Sequence, residues 1–96
     1  MNKNIYIAGK ITGLKNYKKL FNKAENNLNL SGFNCMNPSV FNEGFEQNEY
    51  MHVCYAMIDI CDTIYMLNNW KDSIGARSEY NYASRNGKKI LFQEVI

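Results

Sequence analysis

Four short apolar runs, each separated from the next by a stretch of helical periodicity, set the architecture open to this chain. They occupy residues 5–8, 33–36, 63–67 and 89–92. Runs this short, bounded by Gly, Asn or Pro, read as strands buried on both faces, as in a parallel sheet. Between the first two, Tyr17, Leu20, Phe21, Ala24 and Leu28 recur at helical spacing, with Asn16 placed to cap the helix and Gly32 to stop it. A second helix begins near Gln47 and continues to about Cys61, with Val53, Ala56, Met57, Ile60 and then Ile64 as its core stripe. A third follows the third strand and ends at Asn86-Gly87.

The order β-α-β-α-β-α-β predicts an α/β fold: a small Rossmann-like (flavodoxin-like) three-layer sandwich around a four-stranded parallel sheet. Ninety-six residues bury one core, so residues 1–96 form a single domain. In such sheets ligands bind beyond the carboxyl ends of the strands, where strand order reverses. Three loops should meet there, at residues 9–14, 38–45 and 68–74.

Composition removes several classes of function. Eleven Lys and Arg against nine Asp and Glu leave a net charge of +2, too balanced for a protein that holds a nucleic-acid polymer electrostatically. Lys18, Lys19 and Lys23 cluster, but at helical spacing with Glu25 nearby, as on a solvated helix face. Cys35, Cys54 and Cys61 form no C-x-x-C pair, and their odd number argues for free thiols in a reducing compartment. With His52 the single histidine, no metal site is expected. Gly9 and Gly13 do not complete a G-x-G-x-x-G fingerprint, so no nicotinamide or flavin cofactor is indicated. The apolar run near the N-terminus is too short for a signal peptide or a membrane span, and a cytoplasmic protein without membrane partners is expected.

Chemistry concentrates in residues 70–83, the passage from the third strand into the third helix. Glu79 lies in the first turns of that helix, with Ser73 and Gly75 ahead of it. A helix N-terminus offers free backbone N–H groups to an anion, and Ser73 adds a hydroxyl. Ser73 also reads as a helix N-cap, and the two roles are compatible. Glu79 has two readings: a carboxylate that stabilises the helix through its dipole, or the reactive group of a site. Lys10 is either a partner for an anion or a solvated lysine. Tyr6 reads as a base-stacking aromatic or as plain core, and Trp70 as a ligand or subunit contact. His52 and Asp59, seven apart on one helical face, form either a second polar station or a surface feature.

These residues resemble a known family. Tyr6-Ile7-Ala8-Gly9-Lys10-Ile11-Thr12-Gly13, the helix with Asn16, Phe21, Ala24-Glu25 and Leu28, Asn37-Pro38, Cys61-Asp62 with Ile64 and Met66-Leu67, and residues 70–83 are similar to nucleoside 2-deoxyribosyltransferase-like proteins. Within these the likeness is to a short branch found in phages and prophages, and it covers nearly the whole chain. The resemblance implies a Rossmann-like fold that forms homo-oligomers, with aromatic residues such as Trp70, Tyr80 and Tyr82 in need of cover. It also implies a reaction in which a Glu, matched here by Glu79, attacks the anomeric carbon of a sugar and expels its base. Water or a second base then takes the sugar, in the logic of retaining glycosidases.

Six residues before that Glu, the resemblance distinguishes nucleoside transferases, which carry Asp, from nucleotide hydrolases, which carry Ser. Ser73 therefore implies a nucleoside 5′-phosphate as ligand, bound by Tyr6, Gly9, Lys10, Gly13, Asn37, Trp70, Ser73, Gly75 and Ala76. The family's catalytic Asp, eight residues ahead of the position of Asp62, is replaced by Cys54. Asp59 is the nearby carboxylate available as a catalytic substitute, although it lies about 140° around the helix from Cys54. Three functions follow as expectations. One is an N-glycosidase or deoxyribosyltransferase. Another is a non-catalytic binder that sequesters a nucleotide-derived defence signal. A regulatory subunit contacting another protein through Trp70 is a third.

Overall fold

The computed structural model describes residues 3–94. Strand β1 (Lys3–Ala8) leads through helix α1 (Tyr17–Leu30) to strand β2 (Phe33–Met36), then through helix α2 (Gln47–Asp59) to strand β3 (Thr63–Met66). Helix α3 (Ile74–Arg85) and strand β4 (Lys89–Phe92) follow. All three strand pairings are parallel, and the order across the sheet is β2-β1-β3-β4. The chain steps from β1 out to β2, then crosses back over β1 to β3. Strand order therefore reverses between β1 and β3, and their carboxyl ends open the crevice where ligands bind in such folds.

Alternation along the strands divides the core in two. Ile5 and Ile7 pack with Tyr17, Phe21, Ala24 and Leu28 of α1, and with Leu67. Tyr6 and Ala8 face the other way, with Ile64 and Met66, onto Cys54, Met57 and Ile58 of α2 and Ala76 and Ala83 of α3. Ile5, Tyr6, Ile7 and Ala8 are wholly buried. The unbroken apolar run at residues 5–8 is thus a central strand covered on both sides, and the expected three-layer sandwich is the fold found.

The helix ends show which sequence signals operate. Gly32, at φ +92°, closes α1, because a left-handed residue there is strained for any side chain. Asn16 stands at the N-cap of α1 but makes no side-chain cap bond. Helix α2 instead starts at a capping box: Glu46 and Glu49 exchange side-chain bonds with each other's backbone, with Glu49 Oε1 accepting from the Glu46 N–H at 2.7 Å.

The core stripe expected for α2 is corrected. Val53, Ala56 and Ile60 face solvent, while Cys54, Met57, Ile58 and Cys61 face the sheet. Both sets have helical spacing. The second set sits at i, i+3, i+4 and i+7, and α3, packed beside α2 over the same face of the sheet, rolls that set inward. Two 3-10 turns, Pro38–Val40 and Trp70–Asp72, were not expected from the sequence. Among the described residues no helix is long and apolar enough to cross a membrane.

Candidate functional site

In a parallel α/β sandwich the helices run opposite to the strands, so their N-termini open toward the strand carboxyl ends. Here a cleft of about 1080 Å³ lies at that end. Its walls come from the loop after β1, from Pro38 through the first turns of α2, and from Asp72 through the first turn of α3. Tyr6, Cys54 and Glu79 also line it.

The start of α3 gathers hydrogen-bond donors. Ser73 is its N-cap, and its Oγ accepts from the Ala76 N–H at 3.1 Å. The hydroxyl proton of Ser73 is left to donate, and helix geometry leaves the Ile74 and Gly75 N–H groups without intrahelical acceptors. Lys10 pins the first loop to this place: its backbone N–H donates to Asn69 Oδ1 at 3.0 Å and its Nζ to the Asp72 carbonyl at 3.3 Å. An ammonium, a hydroxyl and a helix N-terminus therefore converge on one wall.

Glu79 stands six residues further along α3, about 9 Å along the helix axis from the cap. It is 6% exposed, and its Oε2 accepts from the Tyr6 hydroxyl at 2.7 Å. Cys54 of α2 lies against both groups. Burial pushes the Glu79 carboxyl up from 4.5 to about 7, while the hydrogen bonds from Tyr6 and Cys54 pull it down. Burial, followed by the charge of Glu79, pushes the Cys54 thiol up to about 12. The same two causes, in the same order, hold the Tyr6 hydroxyl well above its usual range. At neutral pH a carboxyl near its midpoint thus sits between two groups that keep their protons.

Of the residues named from sequence, Tyr6, Gly9, Lys10, Gly13, Ser73, Gly75, Ala76 and Glu79 all line the cleft. Tyr6 is core and site at once: its ring is wholly buried and only its function as a donor reaches the carboxylate. Gly9 serves packing, since a Cβ there would come within 2.6 Å of Leu67 Cδ1. Three residues stay outside. Asp59 is the last residue of α2, so it falls at the opposite end of the sheet, where its exposed Oδ1 accepts from the Tyr82 hydroxyl at 2.6 Å. Trp70 lies in a 3-10 turn and stacks on Tyr80, with ring centroids 4.9 Å apart. Asn37 is buried behind the wall; it accepts from the Ser39 N–H and donates to Asn22 Oδ1 and Glu25 Oε1.

Sequence reasoning brought the loop at residues 38–45 to the strand ends but named none of its residues, and it missed the first turns of α2, which complete that wall. Phe41, Glu43 and Gly44 from the second loop and Gln47, Tyr50 and Met51 from α2 line it. Tyr50 ties this wall together, its hydroxyl donating to the Asn42 carbonyl. The readable signal was the Glu46/Glu49 capping box, which marks where α2 starts and hence which of its residues reach the strand ends. Among the described residues no group of three His, Cys, Asp or Glu is placed to hold a metal ion.

Comparison with known proteins agrees with this architecture. The family described as a domain of unknown function (DUF4406) matches residues 3–92. No curated protein sequence matches the chain. The structure is similar to that of the 2-desoxiribosyltransferase from Leishmania mexicana, with a TM-score of 0.74 and 23% sequence identity, over 94% of this chain and 63% of that one. At this identity the likeness establishes the fold, and this chain spans less than two thirds of the other's length. With nearly all of its described residues matched, the chain belongs to the DUF4406 family and carries the fold of a deoxyribosyltransferase.

Proposed function

We propose that the protein binds a (deoxy)nucleoside 5′-phosphate in this cleft and acts at its N-glycosidic bond, with Glu79 as the nucleophile. The observation that carries this reading is the buried Glu79 carboxyl, set about 9 Å inside the helix whose N-terminus bears Ser73. A phosphate held by Ser73, the α3 N-terminus and Lys10 leaves the sugar lying along the first turns of α3, with its anomeric carbon toward Glu79. The carboxylate then attacks that carbon, the base leaves with the bonding electron pair, and water or a second base resolves the glycosyl ester. Tyr6 orients the carboxylate and, as a hydrogen-bond donor, stabilises its charged form.

Incubation with a panel of nucleoside and deoxynucleoside monophosphates, with free base read by chromatography, tests this directly. Base release that disappears in Glu79→Gln is the expected result. A second reading rests on Cys54, a thiol where a stronger acid would serve catalysis: the cleft binds a nucleotide without turning it over. A nucleotide that raises the melting temperature while no base appears selects that reading. No shift and no base with any nucleotide removes both.

A further inference from the structure

The cleft is larger than a mononucleotide, and it crosses the sheet. Tyr6 and Cys54 belong to the half of the core that α2 and α3 cover, whereas Tyr17 and Phe21 belong to the half that α1 covers. All four line the same cleft. It therefore runs over the carboxyl end of β1, from one face of the sheet to the other, and has two lobes. The inner lobe holds Glu79 and ends at the Ser73 wall. The outer lobe is walled by Ile11, Leu14, Tyr17 and Phe21, with Thr12 and Lys15 beside them.

A nucleoside 5′-phosphate leaves the outer lobe empty. Sites of about 300–1,000 Å³ enclose whole drug-sized ligands, and a mononucleotide is a small member of that class. The cleft offers about 1080 Å³. With the phosphate on Ser73 and Lys10 and the sugar toward Glu79, nothing of a mononucleotide extends to Leu14 or Tyr17. Tyr17 adds a polar signal. It is 8% exposed, and among the described residues no donor or acceptor meets its hydroxyl. Every fully buried side-chain nitrogen and oxygen there has a partner, so this oxygen must open on the cleft that Tyr17 lines. A tyrosine sunk this far normally has its hydroxyl bonded, and here the open position faces a ligand.

We infer that the ligand class of this cleft is a dinucleotide, two nucleosides joined 5′ to 5′ through a diphosphate, the first in the inner lobe and the second in the outer. Two phosphates match two ammonium groups that line the cleft, Lys10 at the Ser73 wall and Lys15 further along the same loop. A diphosphate held by Ser73 and two lysines needs no G-x-G-x-x-G turn. Ile11 and Leu14 offer apolar surface to a flat heterocycle, and the hydroxyls of Tyr17 and Thr12 offer hydrogen bonds to its edge or its ribose.

The inner half of this assignment rests on the proposed nucleotide reading of Ser73 and Glu79, and calorimetric titration separates the two. Adenosine 5′-monophosphate, adenosine 5′-diphosphate and diadenosine 5′,5′-diphosphate are compared, with the guanosine, cytidine and uridine series beside them. In the series that the inner lobe accepts, the dinucleotide is expected to bind at least about 10-fold tighter than either mononucleotide, as burial of one more ring requires. A smaller advantage over either one overturns the inference and leaves the nucleotide reading standing; the diphosphate is the control for charge alone. No binding by any member of the four series overturns both. Leu14→Trp, which fills the outer lobe, should abolish the advantage of the dinucleotide. Tyr17→Phe keeps the buried ring and should lower that advantage about 5-fold, the worth of one net hydrogen bond. Each ratio is read within one protein, so a change in stability does not enter it, and ratios unmoved in both variants overturn the outer lobe as the second nucleoside's place.

Discussion

Replacing Glu79 by Gln should stabilise the protein at pH 8 and change little at pH 5. The carboxyl titrates at 4.5 when exposed and at about 7 when buried in the folded protein. Between these values the folded state keeps a proton that the unfolded state gives up, so stability falls as pH rises from 4.5 toward 7 and is level above that. The contribution is fully present below pH 4.5, where both states are neutral. The gap is about 2.5 pH units at about 1.4 kcal/mol each, or about 3 kcal/mol against a typical total of about 5–15 kcal/mol. Glutamine keeps an acceptor for the Tyr6 hydroxyl and carries no charge, so it escapes this loss. Urea unfolding of both proteins from pH 4.5 to 8.5 reads the effect. The two stabilities should converge near pH 4.5 and separate by about 3 kcal/mol at pH 8, with equal dependence on urea. Cys54 and Tyr6 titrate far above this window and do not enter it. Curves that run parallel across the range would show that Glu79 does not lie uncompensated in the core.

Tyr6→Phe removes the bond that holds the Glu79 pKa down, so the rising limb of the pH–rate profile, expected near pH 7 in the wild type, should move to higher pH; an unmoved limb contradicts the assignment. Gly9→Ala places a Cβ 2.6 Å from Leu67 Cδ1 and should cost about 1–3 kcal/mol in urea unfolding, whereas a change within about 0.5 kcal/mol would show that the loop gives way freely. Ser73→Ala should lose about 1 kcal/mol of stability with the α3 cap and weaken binding of a nucleoside 5′-phosphate more than that of the bare nucleoside; calorimetric titration giving equal losses would place the phosphate elsewhere.

Local signals proved sufficient for the strands and for the start of α3. Residues 33–36 and 89–92 are strands as read, because a short apolar run between turn residues has one way to be buried in a parallel sheet. Ser73 and Glu79 were legible for a similar reason: both belong to one helix start, and helix geometry fixes their separation. What depended on distant partners was not. Tyr6 and Glu79 are 73 residues apart, and nothing in either segment names the other. Helix α2 carries two apolar stripes of equal regularity, and the neighbouring α3 decided between them. Trp70 was read by its place beside the anion loop, yet a 3-10 turn swings its ring onto Tyr80, a residue of the following helix. The resemblance puts Asn37 among the ligand contacts, whereas the structure has it bracing the Pro38 turn from inside.

The central position of β1 makes the two sides of the cleft unequal in how they open. Tyr6 lies in a strand paired on both edges and buried on both faces, so moving its hydroxyl away from Glu79 means taking the sheet apart. The segment at residues 41–46 has exposed Phe45 at its tip and is held by few bonds beyond those of Tyr50. In amide hydrogen exchange, the β1 amides should exchange at the rate of global unfolding, while those of residues 41–46 exchange by local opening. The cleft therefore loosens first on its Phe45 side, while the carboxylate stays as rigid as the fold itself.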